Sequence, residues 1–373
     1  MSAAQRLECL AMLHGLIPHR WRRAGAALAL AAAAGGAQAG LPADLGTRLA
    51  DGYARPAFGR FAQATHSLNE DLGKWCARPD AAGAAQVRTG FAQVARAWAG
   101  VEFLRFGPLV QGNRYERLAF WPDTRNVMAR QVQAALAAAD PALLEPGALA
   151  GRSVALQGLP ALEFVLYGEA GLLQQPDAPG FAYGCQLAHA MARNAAGLAG
   201  ELAQAWSAQG EFGRQFTHPA PANDLYRSPQ EVAAEAVKAL STGLQFARDV
   251  KLLPVLGQSA AAARPKRAAF WRSGQTAATL AAGLRGMRAF YEAGGYPLGD
   301  AGWIDATVKS ELDQAAGAAE RAQGPAEALA EDGEPRDALA LAALVIKNAK
   351  DVVDQNLAPA VGVTIGFNAL DGD

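Results

Sequence analysis

The stretch FGRFAQATHSLNEDLGKW, residues 58–75, decides the fold class. Phe58, Phe61, Thr65, Leu68, Leu72 and Trp75 step by three and four, the spacing that places side chains on one face of an α-helix. Val87, Phe91, Val94, Trp98 and Val101 repeat those steps after a break at Pro79 and Gly83. Met128, Val132 and Leu136 mark a third helix, and Leu187, Met191, Leu198, Leu202 and Trp206 a fourth. These four are expected to form one bundle.

A second series starts at Ser228-Pro229-Gln230-Glu231, where serine can cap a helix, proline suits its first position and glutamate can reach back to the cap. Val237, Leu240 and Leu244 continue that helix. Three further helices are predicted from Leu280, Leu284, Met287 and Tyr291, from Ile304, Val308 and Leu312, and from Leu341, Val345, Asn348 and Val352. Period-two alternation is nearly absent, which argues against a large sheet. Between the two series, His218-Pro219-Ala220-Pro221-Ala222-Asn223-Asp224 reads as a linker.

The two halves share a motif. Arg117-Leu118-Ala119-Phe120-Trp121 recurs as Arg267-Ala268-Ala269-Phe270-Trp271, 150 residues later, with a proline close to a glycine upstream of each. A single short match arises by chance in an alanine-rich chain, but the common order of helices around it favours duplication. The expectation is an all-α protein of two related antiparallel helical bundles packed about a pseudo-two-fold axis, with the cleft between them as the default binding site. The expected boundaries are a signal at 1–39, a first bundle at 40–217, a linker at 218–227 and a second bundle at 228–373.

The N-terminus differs in composition. Arg20, Arg22 and Arg23 precede an uncharged run from Ala24 to Ala34 and then Gly35-Gly36-Ala37-Gln38-Ala39. Basic, apolar and small-residue segments in that order make a secretory signal, with cleavage expected after Ala39. The apolar run is about half of the roughly 20 residues a spanning helix needs, so a membrane anchor is the weaker reading. Translation is expected to start at Met1 or Met12, and the lack of a cysteine at the cleavage point argues against a lipoprotein. No later stretch is long and apolar enough to span a bilayer, and the expected location is the periplasm or cell envelope. Removing 1–39 leaves 30 basic and 34 acidic residues, a net charge of −4. Such a chain has no electrostatic footprint for nucleic acid.

Cys76 and Cys185 remain after processing. In an oxidising compartment they are a disulfide candidate, worth roughly 4 to 5 kcal/mol on the chain-entropy model. Two unrelated buried thiols are the alternative.

Several residues could carry chemistry. An arginine four residues before a tryptophan on one helix face can stack on its ring, or the pair can meet an anionic ligand at a seam; Arg117 with Trp121 and Arg267 with Trp271 are such pairs. Asp123 and Arg125 follow Trp121, whereas Ser273 and Gln275 stand at the matching positions of the second half, an asymmetry that a one-sided site and drift would both leave. His66 and Glu70 lie one helical turn apart, but two ligands do not make a metal site, and a solvated pair is the plainer reading. There is no His-Glu-x-x-His, Gly-x-Ser-x-Gly, P-loop or nucleotide-binding glycine fingerprint, which removes the common hydrolase, kinase and dehydrogenase classes. The segment Gly158 to Gly168 strands Glu163 among apolar neighbours. Burying that charge is costly unless it is answered, either by the positive end of its own helix or by a ligand, a metal or an arginine across the cleft.

At these residues the chain resembles the imelysin family of bacterial envelope proteins, once classed as metallopeptidases. The resemblance runs through Phe106-Gly107-Pro108-Leu109, Asn113-Arg114, Glu116-Arg117, Phe120-Trp121-Pro122-Asp123, the Gly158 to Gly168 segment, Thr242-Gly243-Leu244-Gln245, Phe270-Trp271-Arg272-Ser273-Gly274 and the ending Gly366 to Asp373. It implies two helical bundles with a site between them and a role in iron or haem acquisition. It also implies a Gly-x-His-x-x-Glu signature, in which histidine and glutamate share a metal. Here Gly158 and Glu163 match, but Pro160 stands at the histidine position. Proline offers no lone pair, so a zinc peptidase mechanism loses half its motif and no catalytic residue is expected. Glu163 is carried over as a metal candidate, and Asn113, Arg117, Trp121, Asp123, Arg267, Trp271 and Asp371 as ligand or cleft candidates. The expected ligand is iron, another divalent metal or an iron carrier, with an envelope protein as partner. The competing functions are a metallopeptidase and an interaction protein without a small-molecule ligand.

Overall fold

Helix α1 (Arg55–Ala77) carries Pro56 in its first turn, where a missing amide costs no hydrogen bond. Its buried face is the predicted one, from Phe58 through Phe61, Thr65, Leu68 and Leu72 to Trp75. Asp80 then starts α2 (Ala81–Ala99) by accepting the Gly83 amide at 2.6 Å. The two helices form an antiparallel hairpin, with the Phe61 and Trp98 rings 5.6 Å apart at one end and Trp75 donating to the Asp80 carbonyl at the other. The structure is a computed structural model and describes residues 40–175 and 178–366; the expected signal at 1–39 and the candidate Asp371 lie outside the described residues.

Four more helices complete the first half: α3 (Val127–Ala138), α4 (Gly158–Tyr167), α5 (Phe181–Trp206) and α6 (Glu211–Thr217). α5 lies antiparallel on α1. Trp206 stacks on Phe58 at 5.8 Å, and Phe181 meets Trp75 edge-on at 5.5 Å. Near the latter end Cys76 and Cys185 are bridged, their Cα atoms 5.5 Å apart, which decides the open question in favour of a disulfide.

The later helices are α7 (Pro229–Gln245), α8 (Thr276–Gly294), α9 (Gly302–Arg321) and α10 (Glu334–Val352). The Ser228 hydroxyl caps α7 by accepting the Glu231 amide at 3.3 Å. Glu231 reaches one residue further back than predicted, accepting the Arg227 amide at 2.7 Å. α7 continues through a π-helical stretch, Phe246–Leu252, whose wider turns bring Lys251 beside Glu102. α8 and α9 run antiparallel, joined by Arg285 to Glu320 and Arg288 to Asp313. α8 also packs on α2, and glycine permits the approach: a Cβ on Gly283 would sit 3.2 Å from the Ala99 carbonyl oxygen.

Among the described residues there is no β-strand, and all fall within one compact unit. One sequence expectation needs correction. The predicted stripe of α10 has the wrong register: Leu341 is 44% exposed and Asn348 is exposed, while Leu339, Ala342, Ala343, Ile346 and Ala349 are buried beside Val345. α9, which packs on α10, buries Ala315, Ala316, Ala318 and Ala319, and Leu341 and Leu344 of α10 are turned outward. The segment 218–227, read as a linker, contains a packed turn. Ala220 donates to the Tyr226 carbonyl at 3.1 Å, and the buried Tyr226 ring meets Phe216 edge-on at 5.2 Å.

Candidate ligand cavity

A cavity of about 540 Å³ opens where the loop before α3, the π-helical end of α7 and the loop before α8 meet α4. Gly158 fixes where α4 begins. Its φ is +84°, and a Cβ there would lie 2.5 Å from the Arg117 carbonyl oxygen, so only glycine lets α4 start against the first motif. The first turn and a half of the helix then carries Pro160 and Glu163 to the cavity wall.

Glu163 is 3% exposed, and its answer comes from 110 residues away. The Ser273 amide donates to its Oε1 at 2.9 Å and the Ser273 hydroxyl at 2.7 Å. The Arg272 guanidinium is near enough to stabilise the carboxylate electrostatically. Burial nevertheless raises the Glu163 pKa, with the Ser273 hydroxyl, the Ser273 amide and Arg272 pulling it down. Neither the helix dipole nor an arginine alone is the partner. Ser273 is, and the sequence marked it only as the residue that replaces an aspartate in the second half.

The remaining acids of the cavity are also engaged. Asp123 accepts the Val127 amide at 2.9 Å and the Met128 amide at 2.8 Å, which caps α3. Glu102 pairs with Lys251, both side chains about nine-tenths buried. Asp249 holds Arg248 at 2.5 Å. The cations are less occupied. Among the described residues no carboxylate lies within ion-pair distance of Arg125, Lys266, Arg267 or Arg272, although the charges of Glu163 and Glu169 reach Arg272. Arg272 lies 4.4 Å from the centre of the Trp271 ring and 5.0 Å from that of Phe164, and Lys266 approaches the same tryptophan at 5.5 Å.

Of the residues singled out from the sequence, Trp121, Asp123, Glu163, Arg267 and Trp271 line this one cavity. Arg117 does not. It donates to the Gln157 Oε1 at 3.3 Å and faces a separate surface depression between the 145–150 loop and α5. Asn113 is exposed in a left-handed turn outside the cavity. The expected stacking of each motif arginine on its own tryptophan is absent among the described residues. Both motifs leave the helix, at Leu118 and at Arg267, so a spacing of four no longer means a shared face. Lys251, Lys266 and Arg272 were missed, because nothing local separates them from other surface cations. Gln157 was missed too. It is 1% exposed, donates to the Leu149 and Arg152 carbonyls and accepts from Arg117 and Asn194, locking the approach to α4.

A metal held by Glu163 does not fit this arrangement. Among the described residues no three histidine, cysteine or acidic side chains converge. Two Ser273 donors already occupy Oε1, and Pro160 lines the cavity where a histidine ligand is expected. His66 and Glu70 form the exposed pair expected of them, 3.2 Å apart.

Comparison with known proteins places the chain. None of the curated proteins compared matches it. Among solved structures, an imelysin-like protein from Psychrobacter arcticum 273-4 matches with a TM-score of 0.71 and 18% identity, covering 88% of this chain and 99% of that one. A protein from Parabacteroides distasonis ATCC 8503, provisionally named an iron-regulated protein A precursor, matches at a TM-score of 0.66 and 13% identity over 83% of this chain and 93% of that one. At such identities the likeness shows a common helical fold. The model of the imelysin family, labelled peptidase M75, matches residues 54–353, which include the loops, α4 and the cavity described above. This chain therefore belongs to the imelysin family.

Proposed function

We propose that the protein is exported and acts in the periplasm or cell envelope as a binding protein serving iron acquisition, its ligand seated in the cavity between the helices before residue 217 and those after 228. The observation that carries this reading is the cavity itself. Two tryptophans 150 residues apart in repeated motifs, Trp121 and Trp271, line one space of about 540 Å³, within the range of small-molecule sites. That both motifs reach the same cavity also supports their descent from a duplication. Family membership and the name of the Parabacteroides neighbour support the iron link. Peptidase chemistry draws no support from Pro160 and Glu163 as arranged here.

Deleting the gene in its own host and restoring it as wild type or as Thr124→Trp tests both parts, since Thr124 is exposed on the cavity wall and a larger ring there would obstruct it. Slow growth under iron limitation, rescued by the wild type and not by Thr124→Trp at equal export, is expected. Normal growth of the deletion strain would overturn the iron role, and full rescue by Thr124→Trp the cavity.

One observation favours a partner-docking role. Leu341 and Leu344, one helical turn apart on α10, are 44% and 57% exposed, an apolar pair that a second protein could cover.

A further inference from the structure

We infer that the cavity takes a small organic polyanion, gripped by Arg125, Lys266, Arg267 and Arg272 over the faces of Trp121 and Trp271, and that any metal it carries enters already chelated. This deepens the proposed function and rests on its assignment of the cavity as the ligand seat.

Three observations converge. The first is charge that is left over. Every acid lining the cavity is engaged by an amide, a hydroxyl or a cation, as described for Asp123, Glu163, Glu102 and Asp249. Four cations that line the cavity have no ion-pair partner among the described residues. Arg272 is half-buried, and burial lowers its pKa against the pull of Glu163 and Glu169, so a desolvated guanidinium faces the cavity with incomplete compensation. A ligand with several anionic oxygens would complete it, and guanidinium groups suit carboxylates and phosphates geometrically.

The second is size. About 540 Å³ is far more than a bare ion or a single phosphate fills, and it matches an organic molecule. The third is the lining. Phe120, Trp121, Phe270 and Trp271 supply apolar and aromatic surface between the charges, which favours a carbon skeleton over an inorganic anion. A polycarboxylate has all three properties. It is also the chemistry that holds ferric iron in solution, so the same seat can receive an iron carrier without protein ligands to the metal.

Isothermal titration calorimetry on the exported full-length product tests this, with citrate, ferric citrate, inorganic phosphate, ferrous and zinc ions, and neutral sorbitol as probes. Citrate, free or ferric, should bind, weaken as sodium chloride is raised, and lose about tenfold or more in affinity in Arg267→Ala, as expected for a hydrogen-bonded charge. Arg267→Lys should recover part of that loss. Arg117→Ala should change affinity by less than twofold, because its side chain faces another depression. Arg267 is exposed, so its replacement leaves the fold intact, and unchanged thermal unfolding checks this.

Failure of both citrate forms to bind would overturn the inference, as would phosphate binding as tightly as citrate, or tight binding of ferrous or zinc ion that Glu163→Gln abolishes. Equal losses in Arg117→Ala and Arg267→Ala would also sink it. If citrate binds but the deletion strain grows normally under iron limitation, the polyanion site stands and the iron role falls. If growth depends on the protein and citrate does not bind, the reverse holds.

Discussion

Between α1 and α5 the contact is made by large rings and a covalent bond, whereas α9 and α10, also packed on each other, bury alanines in greater number. Phe58 against Trp206, Trp75 against Phe181 and the Cys76–Cys185 bridge hold the first pair. The second buries Ala315, Ala316, Ala318 and Ala319 against a helix that buries Ala338, Ala342, Ala343 and Ala349, with ion pairs on the neighbouring α8–α9 surface. Each aromatic pair removes much apolar area from water at one point, so a few residues dominate the first contact. Alanines gain little area each and depend on backbones approaching closely along the whole helix. Glu163 and Ser273 lie between the two regimes, joining α4 to the loop before α8.

The largest expected effect breaks the first regime. The bridge spans a sequence separation of 109 residues. Its removal by Cys76→Ser with Cys185→Ser should cost about 5 kcal/mol on the chain-entropy model. Urea unfolding measures it, and an unchanged midpoint would mean that the rings alone suffice.

Next comes the junction. Glu163→Ala strands the Ser273 amide and hydroxyl and should cost about 2 to 3 kcal/mol. Glu163→Gln keeps an acceptor at the same place and removes the buried charge, so it should be as stable as the wild type or more so at neutral pH. Because burial raises the Glu163 pKa, the sign of the pH dependence follows. Below the ordinary glutamate range, folded and unfolded chains both hold the proton. As pH rises through that range the unfolded chain releases it first, and the wild type loses stability relative to Glu163→Gln. Chemical unfolding from acid to neutral pH reads this difference, and a constant gap would contradict it.

The smallest effect belongs to the ion pairs beside the second regime, on the α8–α9 surface. Arg288 bonds Asp313 at 3.0 Å and also pairs with Glu292, but these acids are about half exposed. Arg288→Ala should shift stability by less than about 1 kcal/mol, and less again in high salt. A larger, salt-resistant loss would show that α8 and α9 are held together by charge more than by apolar packing.

The local order of residues was enough to determine the main helices, the Ser228 start and the fact that Glu163 needs a partner. Helical periodicity and capping act within a few residues, and the cost of burying a carboxylate does not depend on what repays it. The identity of that partner was decided by tertiary structure, since Ser273 is distant in sequence and nothing nearby points to it. So was the separation of the motif arginines, Arg117 to Gln157 and Arg267 to the cavity. The outward turn of Leu341 belongs with them: how close a neighbouring helix comes, and hence which side chain fits beneath it, is a property of two chain segments in space and not of either alone.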